Sequence, residues 1–162
     1  MSKVGGVARW DLPEFLAFNE HIRKDGVHIK FNFNIREKDM ELFAKILTAL
    51  VAIEHLYIMY FEMFAWETIG KRTFKTLPAD LFKPTKGLAA NQGLYNGFLS
   101  AGLIWSFFIS DSNWSGNVAV FFLVCVIIAG IYGAATASKK IFITQALPAI
   151  LALIAVLMAR CY

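Results

Sequence analysis

Hydrophobic and polar positions alternate with different periods along this chain, and the change of period divides it. From Val27 to Arg36 the period is two, with Val27, Ile29, Phe31, Phe33 and Ile35 on one face and His28, Lys30, Asn32, Asn34 and Arg36 on the other, the pattern of a β-strand. Ahead of it, Leu12, Phe15, Leu16 and Ile22 form a helical stripe over residues 11–25. Asp11 is placed to cap that helix, Glu14 follows at capping-box spacing, Pro13 is tolerated in the first turn and Gly26 ends it. Residues 1–40 are thus predicted to be an aqueous extension made of helix 11–25 and strand 27–36. A single strand cannot satisfy its own backbone, and the rest of the chain offers only short loops to pair with it. The pattern therefore predicts pairing between two copies of the chain, and a homo-oligomer.

Beyond residue 40 the apolar residues run almost unbroken in four stretches, about 42–66, 87–110, 117–137 and 141–159. At 1.5 Å of rise per residue each is about long enough to cross a hydrocarbon core as a helix. Residues 68–86 form a basic loop between the first two, with Pro78 and Pro84 as breakers and Leu77 to Phe82 as a short interfacial turn. The connections at 111–116 and 138–140 are tight, which makes consecutive helices antiparallel neighbours. The predicted fold is an all-α membrane protein: a four-transmembrane-helix antiparallel bundle over residues 41–162 with a short aqueous N-terminal helix-plus-strand extension.

Composition identifies the solvent. Hydrophobic residues make up 57% of the chain and charged ones 17%, too apolar for an ordinary soluble domain. Most charges crowd into residues 1–45, 67–86 and 139–140, so the formal charge of +4 belongs to loops. Those Lys and Arg flank hydrophobic runs, where membrane orientation accounts for them, and they build no stripe of the kind that binds nucleic acid. Seven of them (Lys71, Arg72, Lys75, Lys83, Lys86, Lys139 and Lys140) fall on one side, against five on the other, which places the basic loops in the cytoplasm and both termini outside. Cys125 and Cys161 show no metal spacing. No charged n-region leads directly into an apolar h-region, so the first hydrophobic helix is expected to target the chain to the membrane.

Candidate chemistry lies where polar residues interrupt the first two spans. His55 and Glu62 are seven residues apart, about two helical turns, and share a face. Burying such groups in lipid costs about 3 kcal/mol each, so they are expected to face the bundle interior. The start of the second span, Asn91-Gln92-Gly93-Leu94-Tyr95-Asn96-Gly97, supplies partners: Asn91 and Tyr95, like Gln92 and Asn96, are four residues apart. Gly93, Gly97 and Ala101 form a small-residue ridge for close helix contact. His55, Glu62, Asn91, Gln92, Tyr95 and Asn96 are thus expected to converge on one ligand-binding site. One His with one carboxylate is too few ligands for a dependable metal site, and the sequence leaves the question of a cofactor open.

At Glu54-His55-Leu56-Tyr57-Ile58-Met59-Tyr60-Phe61-Glu62-Met63-Phe64, at Leu88 through Leu99, and at Ala129-Gly130-Ile131-Tyr132-Gly133-Ala134-Ala135-Thr136, the chain resembles the small bacterial membrane proteins grouped as domain of unknown function 1304. The resemblance covers about residues 41–160. It implies a multi-pass protein of the bacterial inner (cytoplasmic) membrane and no activity, and residues 1–40 extend beyond the usual family length.

The residues favour a non-enzymatic protein that binds or transports a small amphipathic molecule in a polar pocket between the first two helices, surrounded by membrane lipids. Tyr57, Tyr60, Phe61, Phe64, Tyr95 and Phe98 are available to line the pocket. Two alternatives stand beside this reading. One is a membrane-embedded enzyme using His55 and Glu62 as an acid–base pair; the other is a structural or assembly subunit of a membrane complex.

Overall fold

The computed structural model describes residues 30–161, with side-chain surroundings from residue 37 onward. All regular structure among the described residues is helical: α1 (Lys30–Phe64), α2 (Lys71–Thr73), α3 (Lys86–Ser106), α4 (Ser112–Thr136) and α5 (Leu147–Cys161). The chain divides at Lys38 and Asp39 into two units, and the second carries every side chain discussed below. Three helical segments are long and apolar enough to cross a membrane: Glu37–Phe64, Ser112–Thr136 and Phe142–Cys161. α3 is not among them. It ends at Ser106 rather than at 110, and Asn91, Gln92, Asn96, Ser100 and Ser106 dilute its apolar content.

The expected strand is corrected over Lys30 to Arg36, which form the first turns of α1. Strand alternation is useful only where a ladder partner exists, whereas a helix satisfies its backbone within the segment and continues from the turns that follow. Pairing of two copies through this segment loses its basis with the strand. Val27 to Ile29 and the expected helix 11–25 lie outside the described residues. The tight turn expected at 111–116 is also displaced. Asp111 extends away from the helix and its carboxylate accepts the Trp114 backbone N–H at 2.7 Å, so α4 starts at Ser112.

Contacts run in opposite sequence directions between consecutive long helices. Between α1 and α3, Ser100 reaches Ala52 while Asn96 reaches Glu62. Between α3 and α4, the Gly102 Cα approaches the Phe122 ring, and Ser115 donates to the Ser106 carbonyl at 2.8 Å. Between α4 and the last helix, Gly116 meets Arg160, Gly130 meets Ala146 and Gly133 meets Ile141. A Cβ on Gly130 would lie 2.8 Å from the Ala146 nitrogen, so this crossing brings backbone against backbone. One apolar core joins Ala44, Val51 and Ala52 of α1, Leu103 of α3, Leu123 and Val126 of α4, and Ala149, Ala152 and Ala155 of α5. The outward faces are also apolar: Ile53, Phe121, Ile128, Tyr132 and Ile143 are all exposed, which suits a lipid surrounding.

Two π turns interrupt the helices. The first, Trp66–Gly70, follows α1; the second, Phe142–Ala146, leads into α5, with the Leu147 N–H donating to the Phe142 carbonyl five residues back.

The loop between α1 and α3 is folded around aromatic rings. The Trp66 ring packs at a tilt against Phe74 and Phe82, with centroids 5.5 Å and 5.1 Å away, and its Nε1–H donates to Thr85 Oγ1 at 3.1 Å. Phe82 is 1% exposed. Phe61 and Ile58 of α1 and Ala89 of α3 close this second apolar cluster. A 3₁₀ turn, Ala79–Leu81, falls inside the interfacial turn expected at 77–82.

Candidate functional site

α1 is rotated so that Ala44, Thr48, Val51, Ala52, His55, Ile58 and Glu62 point inward, one stripe that recurs every three or four residues with Val51 and Ala52 side by side in it. His55 and Glu62 therefore lie on the same buried face, separated by about 10 Å along the axis. Each is held by a different partner. His55 is fully buried, and its Nδ1 bonds to the Val51 carbonyl one turn back at 2.9 Å. A carbonyl oxygen only accepts, so Nδ1 carries the hydrogen, and in the neutral ring Nε2 presents a lone pair. Nε2 is buried and has no hydrogen-bond partner among the described residues.

Glu62 is buried against α3, where Asn96 Nδ2 donates to its Oε2 at 2.8 Å. The same amide also donates to the Gln92 carbonyl at 3.2 Å, which fixes the Asn96 rotamer with its nitrogen toward the carboxylate. No hydrogen bond joins His55 to Glu62 among the described residues, so Glu62 does not orient the imidazole as an acid–base pair would require.

Glycines set the approach of the two helices. A Cβ on Gly93 would fall 2.8 Å from Met63 Cγ, 3.0 Å from Glu62 Cβ and 3.1 Å from the Met59 carbonyl; one on Gly97 would meet Met59 Sδ at 2.7 Å. The ridge expected at Gly93, Gly97 and Ala101 is thus in contact at its first two members, while Ala101 is exposed. Ser100 takes its place in the seam, donating to the Ala52 carbonyl of α1 at 2.8 Å. Ser100 was missed from the sequence, although its position one turn after Asn96 is the signal for it.

Of the six expected site residues, the structure buries His55, Glu62 and Asn96 and brings the last two into contact. Asn91, Gln92 and Tyr95 are exposed. Among the aromatic residues expected to line a pocket, Tyr57, Tyr60, Phe64, Tyr95 and Phe98 are exposed, and Phe61 is buried in the loop cluster. Among the described residues no three of His, Cys, Asp and Glu converge as a metal site would need. What remains is a narrow polar seam. It contains a carboxylate with one amide donor, a serine hydroxyl occupied by backbone, and an imidazole nitrogen available to a hydrogen-bond donor.

The family model described as "Protein of unknown function (DUF1304)" matches residues 49–157, a range that contains the whole seam. An "Uncharacterized protein YpaA" from Lactococcus lactis subsp. lactis (strain IL1403) is 38% identical over 117 residues, which is 71% of this chain and 97% of that protein. No solved structure matches the chain.

Proposed function

The chain belongs to the family described as "Protein of unknown function (DUF1304)", and from that premise we propose a multi-pass protein of the bacterial cytoplasmic membrane that binds a small amphipathic molecule at the α1–α3 seam. In this reading α3 is a fourth crossing helix. Its 21 residues span about 31 Å, comparable to a hydrocarbon core. Asn96, Ser100 and Ser106, which weaken its hydropathy, are turned inward rather than to lipid.

The observation that carries the binding reading is the buried, unpartnered Nε2 of His55. A buried acceptor without a donor is unfavourable by about 1–3 kcal/mol, and every other buried side-chain polar atom among the described residues is either bonded or reachable by solvent. A molecule with a hydroxyl or amine donor satisfies it. The carboxylate of Glu62 offers a second polar contact about 10 Å away along the helix axis, and Met59 between them supplies an adaptable apolar wall. An amphipathic guest with a hydrogen-bond donor at each end of an apolar stretch fits this sequence of acceptor, apolar wall and acceptor.

The test is to purify the parent chain, His55→Ala and Glu62→Gln in mild detergent and compare their organic extracts by mass spectrometry. The expected result is a compound that co-purifies with the parent and is depleted in both variants. Identical extracts, together with a lipid-embedded structure showing only side chains beside His55, would instead make the seam a packing contact.

A further inference from the structure

The loop between α1 and α3 separates its residues by chemistry. Its aromatic side chains point inward to the cluster of Trp66, Phe74 and Phe82, and all five of its basic side chains, Lys71, Arg72, Lys75, Lys83 and Lys86, are exposed. Only two acidic residues, Glu67 and Asp80, accompany them, and Glu67 is used by Lys86 at 3.4 Å. Lys71, Arg72, Lys75 and Lys83 have no ion-pair partner among the described residues. Lys71 is steadied by the Phe82 ring, its Nζ 5.8 Å from the centroid. The short turn between α4 and the last helix adds exposed Lys139 and Lys140 at the same end of the antiparallel helices.

The neighbouring apolar residues say what this surface meets. Phe64 at the end of α1 is 69% exposed and Leu88 at the start of α3 is 73% exposed, and Leu81 in the loop that joins them is exposed as well. Apolar side chains at the level where two helices emerge, bordered by cations that have no ion-pair partner among the described residues, match the boundary between acyl chains and phosphate groups. A soluble anion would account for the cations and leave Phe64 and Leu88 in water. We propose that residues 71–86 form a docking surface for the headgroups of anionic phospholipids, with Lys71, Arg72, Lys75 and Lys83 as the phosphate-binding groups.

The test uses the whole chain in neutral detergent, titrated with phosphatidylglycerol, phosphatidylcholine or inorganic phosphate, with bound lipid counted by native mass spectrometry. The parent is expected to retain phosphatidylglycerol in preference to phosphatidylcholine. A variant combining Lys71→Gln, Arg72→Gln, Lys75→Gln and Lys83→Gln should lose affinity for phosphatidylglycerol by about tenfold or more while binding phosphatidylcholine as the parent does. Equal retention of phosphatidylglycerol by parent and variant, or no preference between the two lipids in the parent, overturns the proposal. So does displacement of phosphatidylglycerol by equimolar inorganic phosphate, which would identify a site for the free anion. Should the variant fail to fold, the parent alone decides. Its preference should vanish in about 1 M salt, where screening acts within ~3 Å, and a preference that survives there rules the surface out.

Discussion

Asn96 and Glu62 are 34 residues apart in sequence, and the amide of the first donates to the carboxylate of the second at 2.8 Å across the α1–α3 contact. Because both are buried, removing the donor strands the acceptor. Asn96→Ala is expected to destabilise the fold by about 1–3 kcal/mol, whereas Glu62→Gln keeps an acceptor for the Asn96 amide and should cost less. Thermal midpoints of the two variants in the same detergent check the order; a Glu62→Gln loss equal to or larger than that of Asn96→Ala would contradict it.

The two glycines of the seam are not equivalent. An added methyl on Gly97 meets only the mobile thioether of Met59, while one on Gly93 meets the Met59 carbonyl as well as two side chains. Gly93→Ala should therefore cost about 1–3 kcal/mol through overpacking and Gly97→Ala distinctly less. Gly97→Leu exceeds what Met59 can yield and should lower the midpoint as Gly93→Ala does. An unchanged midpoint for Gly97→Leu would show that this side of α3 faces lipid.

Gly102 offers a test with a built-in rescue. A Cβ there would sit 2.2 Å from Phe122 ring carbons, so Gly102→Ala forces the half-buried Phe122 ring to move and should destabilise. Phe122→Ala opens the space, and the double variant should recover part of the loss, giving a coupling energy of about 0.5–3 kcal/mol. Strict additivity in the cycle would mean that the two helices do not meet at this point.

The aromatic loop cluster should respond locally. Phe82→Ala empties its centre, which for a buried Phe corresponds to about 3–5 kcal/mol, and Trp66→Phe removes the Thr85 hydrogen bond. Amide exchange of residues 66–85 is expected to accelerate in both variants while exchange within Ser112–Thr136 stays slow. Acceleration along α4 as well would make the loop part of the same cooperative unit as the helices.

Several of these relationships were open to sequence reasoning. The seven-residue spacing of His55 and Glu62 was enough to put both on the buried face of α1, and the Gly93–Gly97 pair was enough to expect a close helix contact, which is made with α1. The same pair also fixes the rotation of α3. With 93 and 97 against α1, positions 96 and 100 fall into the seam, and 91 and 95 fall across the helix from it. Treating all four hydrogen-bonding residues as one group overlooked that constraint. The alternation over Val27 to Arg36 misled for another reason, since period two predicts a strand only if a second strand is available, and Lys30 to Arg36 are helical instead. Trp66, Phe74 and Phe82 follow no helical or strand period, so their assembly depends on tertiary packing that local patterns do not encode.

The π turn at Phe142–Ala146 gives the last helix a property of lineage as well as of shape. Such a turn closes over five residues where an α turn closes over four, so it stores one residue that the flanking register does not require. Deleting a single residue from 142–146 can convert it to an α turn and leave Ala149, Ala152 and Ala155 facing the core as before. The same deletion at Leu151 would rotate every later side chain by about 100° and turn Ala155 and Val156 out of the core they now share. Insertions and deletions between relatives should therefore collect at this turn and be scarce beyond it, which a set of aligned natural sequences can decide.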